Sequence, residues 1–211
     1  AENDFLPDLD AIPEETARRA KFIYINYPNN PTGAVATKAF YEKLVAWAKT
    51  YEVGVVSDLA YGALGYQGYE NPSFLSTPGA KDVGIEFYTF SKTFNMAGWR
   101  LAFAAGNDQM IEALNLIQDH LFVGIFPALQ EAGIVALLDP KSEEAVAQLN
   151  ATYDSRRDAF VQAAAKIGWQ AFPSRGSFYA WMPVPEGYTS ESFTDLLLEK
   201  AHVAVAPGKG F

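Results

Sequence analysis

Two apolar runs near the middle of the chain, Ile85-Glu-Phe-Tyr-Thr-Phe90 and Leu101-Ala-Phe-Ala-Ala105, are separated by only ten residues. Each has the composition of a buried strand. A parallel pair needs a crossover of about a dozen residues or more. The two runs are therefore expected to lie antiparallel and adjacent. Thr89 sits on the first run, Ser91 and Lys92 follow it, and Arg100 precedes the second. A lysine, two hydroxyls and an arginine then converge on one strand end. Such a cluster can hold a phosphate and leave an amine free for chemistry.

Around this pair the chain reads as alternating helices and strands. Pro13 to Ala20 predicts a short helix with proline near its first turn. Phe22 to Asn26 predicts a strand, and Tyr27-Pro-Asn-Asn-Pro-Thr-Gly33 is a dense turn signal. Phe40, Leu44, Trp47 and Ala48 carry the helical spacing over Thr37 to Tyr51, and Val53 to Ser57 predicts a buried strand ending at Asp58. Strand, helix, strand in this order implies a parallel pair with a right-handed crossover. Tyr61 to Gly79 reads as a long ordered loop.

Helices are expected over 107–118, 128–138, 142–167 and 189–200, with a break over 122–127. A strand pair is expected at Trp169–Phe172 and Ser177–Met182, and a last short strand at Val203–Ala206. The fold class is α/β. A mostly parallel sheet would occupy residues 1–150, and part of a smaller α+β domain residues 151–211. The long helix would link them.

Composition narrows the function. A formal charge of -9 argues against nucleic acid or an anionic membrane as the main partner. No apolar run reaches membrane-span length, and the N-terminus does not resemble a signal peptide, so a cytoplasmic location is expected. With no cysteine there is no disulfide, thiolate or Cys-based zinc chemistry. His120 and His202 are isolated in sequence and read as ordinary helix or strand residues, so no metal is expected. No phosphate-loop motif occurs, and Gly62, Gly65 and Gly68 miss the dinucleotide spacing.

In open α/β sheets, ligands bind beyond the carboxyl ends of the strands. Asn29 and Asn30 follow the first strand, Asp58 ends the second, and Thr89, Ser91 and Lys92 follow the third. Singly, each has a plain structural role: a cap, a turn, a solvated charge. Together they place an amide, a carboxylate, hydroxyls and an amine along one crevice, and buried strands rarely end in such groups without use.

Four segments carry a resemblance: Asn30-Pro-Thr-Gly33, Ser57-Asp-Leu-Ala-Tyr61, Thr89-Phe-Ser-Lys92 and Gly98-Trp-Arg100. In this order and spacing the chain resembles the class I/II, fold-type I aminotransferases. Its flavour is that of the aspartate and LL-diaminopimelate branch. Arg156-Arg-Asp158, Gly176-Ser-Phe-Tyr179 and Pro207-Gly208 extend the likeness over essentially the whole chain.

The resemblance implies pyridoxal 5′-phosphate as cofactor, and an amino acid and a 2-oxo acid as substrates. It also implies a homodimer when the chain is complete. Lys92 would form the internal Schiff base and then shuttle a proton at the substrate α-carbon, work that needs a neutral amine. Asp58 would pair with the pyridinium nitrogen, and Asn30 and Tyr61 would bond the ring's phenolic oxygen. Thr89, Ser91 and Arg100 would hold the phosphate.

The family also uses an N-terminal Gly-rich turn, a ring-stacking aromatic and a C-terminal arginine for the substrate carboxylate. None of these is found between Ala1 and Phe211. Arg175 reads as a solvated turn residue rather than a substitute for that arginine. The chain is therefore expected to be a fragment with weak cofactor retention and no useful turnover. Carbon–sulfur lyases and aminocyclopropane-carboxylate synthases share the cofactor residues, and a non-catalytic cofactor-binding module is a further alternative.

Overall fold

The structure, a computed structural model, describes residues 3–172 and 174–211. After the short helix α1 (Glu14–Arg19), strand β1 (Phe22–Asn26) leads through helix α2 (Lys38–Tyr51) to β2 (Gly54–Asp58). A one-turn helix α3 (Ala80–Val83) precedes β3 (Gly84–Thr89), and a second, α4 (Phe90–Thr93), follows it before β4 (Ala102–Gly106). The four strands form one sheet in the order β1-β2-β3-β4. β1, β2 and β3 are parallel, and β4 runs antiparallel to β3 from Ile85↔Gly106 to Thr89↔Ala102. The short connection across Ser91 to Arg100 thus acts as its length demands.

Helix α2 begins where the Thr37 hydroxyl accepts the Phe40 N–H at 3.1 Å. Its buried residues Phe40, Tyr41, Leu44, Val45 and Ala48 recur at helical spacing. They pack with Ile25, Val55 and Phe74 into the main core. Each large side chain buried there stabilises the fold by roughly 1.5–3 kcal/mol. That packing presses α2 onto one face of the sheet and frees the strand ends for other work.

The loop from Tyr61 to Gly79 is ordered because it buries Leu64 and Tyr66 and sends Phe74 into the main core. Asn71 also donates from its amide to the carbonyls of Gly62 and Leu64, both at 3.1 Å. Beyond β4 come α5 (Asp108–Ile117), a wider helical turn (Gln118–Phe122), α6 (Pro127–Leu138), α7 (Ser142–Lys166) and α8 (Ser190–Ala201). The expected boundary at residue 150 falls inside the continuous helix α7.

Two expectations fail. Among the described residues, Trp169–Phe172 and Ser177–Met182 form no strand, and neither does Val203–Ala206. The first pair keeps one hydrogen bond, from the Phe172 N–H to the Trp181 carbonyl at 2.9 Å. Pro183 and Pro185 then deny the run further donors, and an isolated two-stranded ribbon is marginal. Instead the segment docks on the Tyr61–Gly79 loop through a Gly65↔Gly176 bridge and a Ser177 N–H to Leu64 carbonyl bond of 3.3 Å. Val203 and Val205 are exposed and have no strand beside them among the described residues. The Gly176–Tyr179 stretch is thereby carried to the end of the sheet.

Candidate active site

The carboxyl ends of β1, β2 and β3 lie side by side. Asn26 pairs with Asp58 at the last rung of β1 and β2, and Asp58 pairs with Phe87 on β3. Asp58 is open to solvent, yet protein crowds it along the strand. That desolvation moves its carboxyl above the usual range, against the Ala60 N–H, which binds the carboxylate at 3.1 Å and lowers it.

Three residues beyond Asp58, Tyr61 is buried. Burial is the main reason its phenol is pushed well above the ordinary value, and a 3.5 Å bond to the Tyr179 hydroxyl adds to this. The Asn30 side chain works in the opposite direction on the same phenol.

β3 ends when the Thr89 hydroxyl accepts the Ser91 N–H at 3.2 Å and starts α4. That single turn swings Lys92 toward the loop after β2. Its amine stands 5.8 Å from the centroid of the Tyr61 ring and 5.2 Å from that of Phe178. The two rings are 5.2 Å apart and almost perpendicular, at 89°. Tyr153 stacks on Phe178 at 5.4 Å. The amine thus sits in an aromatic corner on the same edge of the sheet as Asp58.

The Thr89 hydroxyl also lies 3.0 Å from that of Ser91 and 3.3 Å from the Leu101 carbonyl, so the residue after Arg100 is tied to the same turn. Arg100 itself is exposed, with a left-handed backbone at φ 54°, and its guanidinium donates to the Ala97 carbonyl at 2.8 Å. The structure bonds Thr89 to Ser91 and brings the Lys92 amine beside the Tyr61 ring. It does not bond Arg100 to either hydroxyl. Arg175 is exposed, 6.0 Å from the Tyr69 ring. Phe178, Tyr179 and Asn26 were missed as site residues. An aromatic pair directly after Gly176-Ser177 was the available signal for the first two, and a polar side chain at a strand end for the third.

An open, mostly parallel sheet with these groups on one edge has close counterparts among solved structures. The substrate-bound BacF structure from Bacillus subtilis has a TM-score of 0.94 at 47% identity, over 99% of this chain and 53% of that one. An aromatic aminotransferase from Pyrococcus horikoshii reaches 0.90 at 32% identity, over 98% and 56% respectively. The fold is thus that of the aminotransferases. The family model described as aminotransferase class I and II matches residues 1–211, and the chain belongs to that family.

Among curated relatives, L-glutamine–4-(methylsulfanyl)-2-oxobutanoate aminotransferase of Bacillus subtilis is 58% identical over 98% of this chain and 52% of its own length. LL-diaminopimelate aminotransferase of Moorella thermoacetica is 50% identical over 100% and 54%. The chain spans about half the length of the curated relatives it matches.

The family's cofactor is pyridoxal phosphate, and the donor set fits it. Every polar function of the cofactor has a chemical complement on this edge. Lys92 suits the aldehyde, Asp58 the pyridine nitrogen, and Asn30 with Tyr61 the phenolic oxygen. Thr89, Ser91 and Arg100 suit the phosphate.

Proposed function

We propose that this chain carries the cofactor-binding and catalytic groups of an aminotransferase that moves an amino group between an amino acid and a 2-oxo acid. The observation that carries this reading is the convergence of Lys92, the Tyr61–Asn30 pair and Asp58 on one edge of the sheet. Bound there, pyridoxal phosphate supplies an electron sink for the substrate's α-carbon.

The chain's own groups do the rest. Lys92 Nζ would provide the covalent attachment point and would then carry the proton to and from the substrate α-carbon. Asp58, as a carboxylate, would pair with the ring nitrogen and keep a proton on it. Tyr61 and Asn30 orient the phenolic oxygen, and Phe178 with Tyr61 keeps water from one side of the amine. Thr89, Ser91 and Arg100 fix the phosphate end.

LL-diaminopimelate and methionine-related 2-oxo acids are the substrate classes the relatives' names bring to this reading. A cytoplasmic homodimer belongs to it as well. Its support is the exposed apolar run Leu116, Ile117, Leu121, Phe122, Val123 and Phe126, which a second subunit would cover.

The test is to add pyridoxal phosphate to the chain and follow visible absorbance. A band that disappears in Lys92→Ala supports the proposal. A wild-type chain with no Lys92-dependent band even at saturating pyridoxal phosphate overturns it.

A further inference from the structure

We propose that Asn26 is a positioning residue that sets Asp58 and Asn30 together for the cofactor ring, an inference that rests on the aminotransferase reading above. Asn26 is the last residue of β1 and faces Asp58 across the final rung of the parallel ladder. The ladder stops there, because Pro28 follows two residues later and has no N–H to offer. The Asn26 side chain takes over from the backbone. Its amide donates to the Asp58 carbonyl at 3.0 Å, and its oxygen accepts the Asn30 N–H at 2.8 Å. The Asn26 carbonyl in turn accepts from the Asn29 amide at 3.3 Å.

One side chain thus grips both loops that reach the ring. Asp58 is held at two points, its carbonyl by Asn26 and its carboxylate by the Ala60 N–H. Asn30 is held by its backbone, which leaves its own amide free to face the Tyr61 phenol. An amide is the side chain suited to this task, because it donates and accepts from one planar group. Alanine removes both bonds. Aspartate keeps the acceptor for Asn30 and removes the donor to Asp58.

The experiment is a double-mutant cycle on the 211-residue chain. Pyridoxal phosphate affinity and the wavelength of the Lys92-dependent band are measured for wild type, Asn26→Ala, Asp58→Asn and the double variant. Asn26→Ala is expected to weaken the affinity about tenfold, as loss of two hydrogen bonds implies, and to shift the band. In the Asp58→Asn background the same change should cost far less, because the group it positions is already altered.

Two results overturn the inference while leaving the aminotransferase reading intact. One is an Asn26→Ala chain with wild-type affinity and wavelength. The other is a pair of losses that simply multiply, as an unrelated structural defect would give. A wild-type chain without the band at saturating pyridoxal phosphate overturns both readings. If Asn26→Ala does not fold, Asn26→Asp replaces it in the cycle with the same expected coupling.

Discussion

Phe178 presents its ring 5.2 Å from the amine of Lys92, although the two residues belong to segments far apart in the chain. The contact exists because Ser177 is completely buried, anchored by Leu64 and Tyr66 of the loop after β2. Phe178→Ala should therefore open the Lys92 corner to water. The expected outcome is several-fold faster labelling of Lys92 by a small acylating reagent, read by peptide mass spectrometry. Labelling of exposed Lys38 should stay unchanged. Equal rates in both proteins would show that the ring does not shield the amine.

Asp58 gives a prediction of the opposite sign for stability and binding. Its carboxyl is raised by desolvation, so the folded chain holds this proton more tightly than the unfolded chain does. Stability from this group is present below the ordinary carboxylate range and is lost as pH rises through the raised value. Asp58→Asn, which cannot ionise, should melt higher than wild type at pH 7 without cofactor. The gain should shrink toward pH 4, while cofactor affinity falls. A melting difference independent of pH would contradict this account.

Buried tyrosines predict alkaline lability. Burial pushes Tyr27, which donates to the Phe5 carbonyl at 2.6 Å, up to about 12. Burial likewise carries Tyr66 to about 12, with Arg157 acting against it and Asp154 with it. Unfolded tyrosine ionises at 10.0, so stability is intact below that pH and declines as pH rises toward 12. Denaturant midpoints measured from pH 9 to 11.5 should fall. The slope should be shallower in Tyr27→Phe.

Glu86 is a buried carboxylate on β3, 6% exposed, on the face opposite Asp58's neighbour Phe87. It accepts from the Ser57 hydroxyl at 2.9 Å, the Ser73 hydroxyl at 2.5 Å and the Phe74 N–H at 2.8 Å. Glu86→Ala would leave three donors facing a cavity. The expected loss is about 1–3 kcal/mol by denaturant unfolding, the cost of leaving buried donors unmet. Glu86→Gln, which keeps an acceptor, should lose less. The bonds to Ser73 and Phe74 lie in the long loop, so that loop should also lose hydrogen-exchange protection first.

Gly33 closes the turn after β1 at φ 71°, and a Cβ there would lie 2.2 Å from the Ser174 hydroxyl. That hydroxyl donates to the Gly33 carbonyl at 3.3 Å and the Gly176 carbonyl at 2.7 Å. Gly33→Ala combines strain with a clash against a buried group. It should cost roughly 1–3 kcal/mol from the backbone alone. Circular dichroism melts check this, and a wild-type melting temperature would refute it.

Much of this protein was legible in the chain itself, because the informative signals were local. The α2 face followed from apolar spacing, and the antiparallel turn back of β4 from a connection too short for anything else. Lys92, Asp58, Asn30 and Thr89 stood out in the chain because each lies at or shortly after the carboxyl end of a strand, where topology leaves a crevice. Strand placement after Trp169 failed because a strand needs a partner as well as apolar residues, and prolines at 183 and 185 removed the donors.

What sequence alone determined was which groups stand at the carboxyl ends of three strands, since connection length and periodicity are properties of neighbouring residues. Only the tertiary structure decided that Phe178 and Tyr179 border the same edge and that Asn26 ties Asp58 to Asn30. Those relationships depend on hydrogen bonds and ring contacts between distant segments. Their geometry is set by how the 176–179 segment docks on the Tyr61 loop, and no local pattern encodes it.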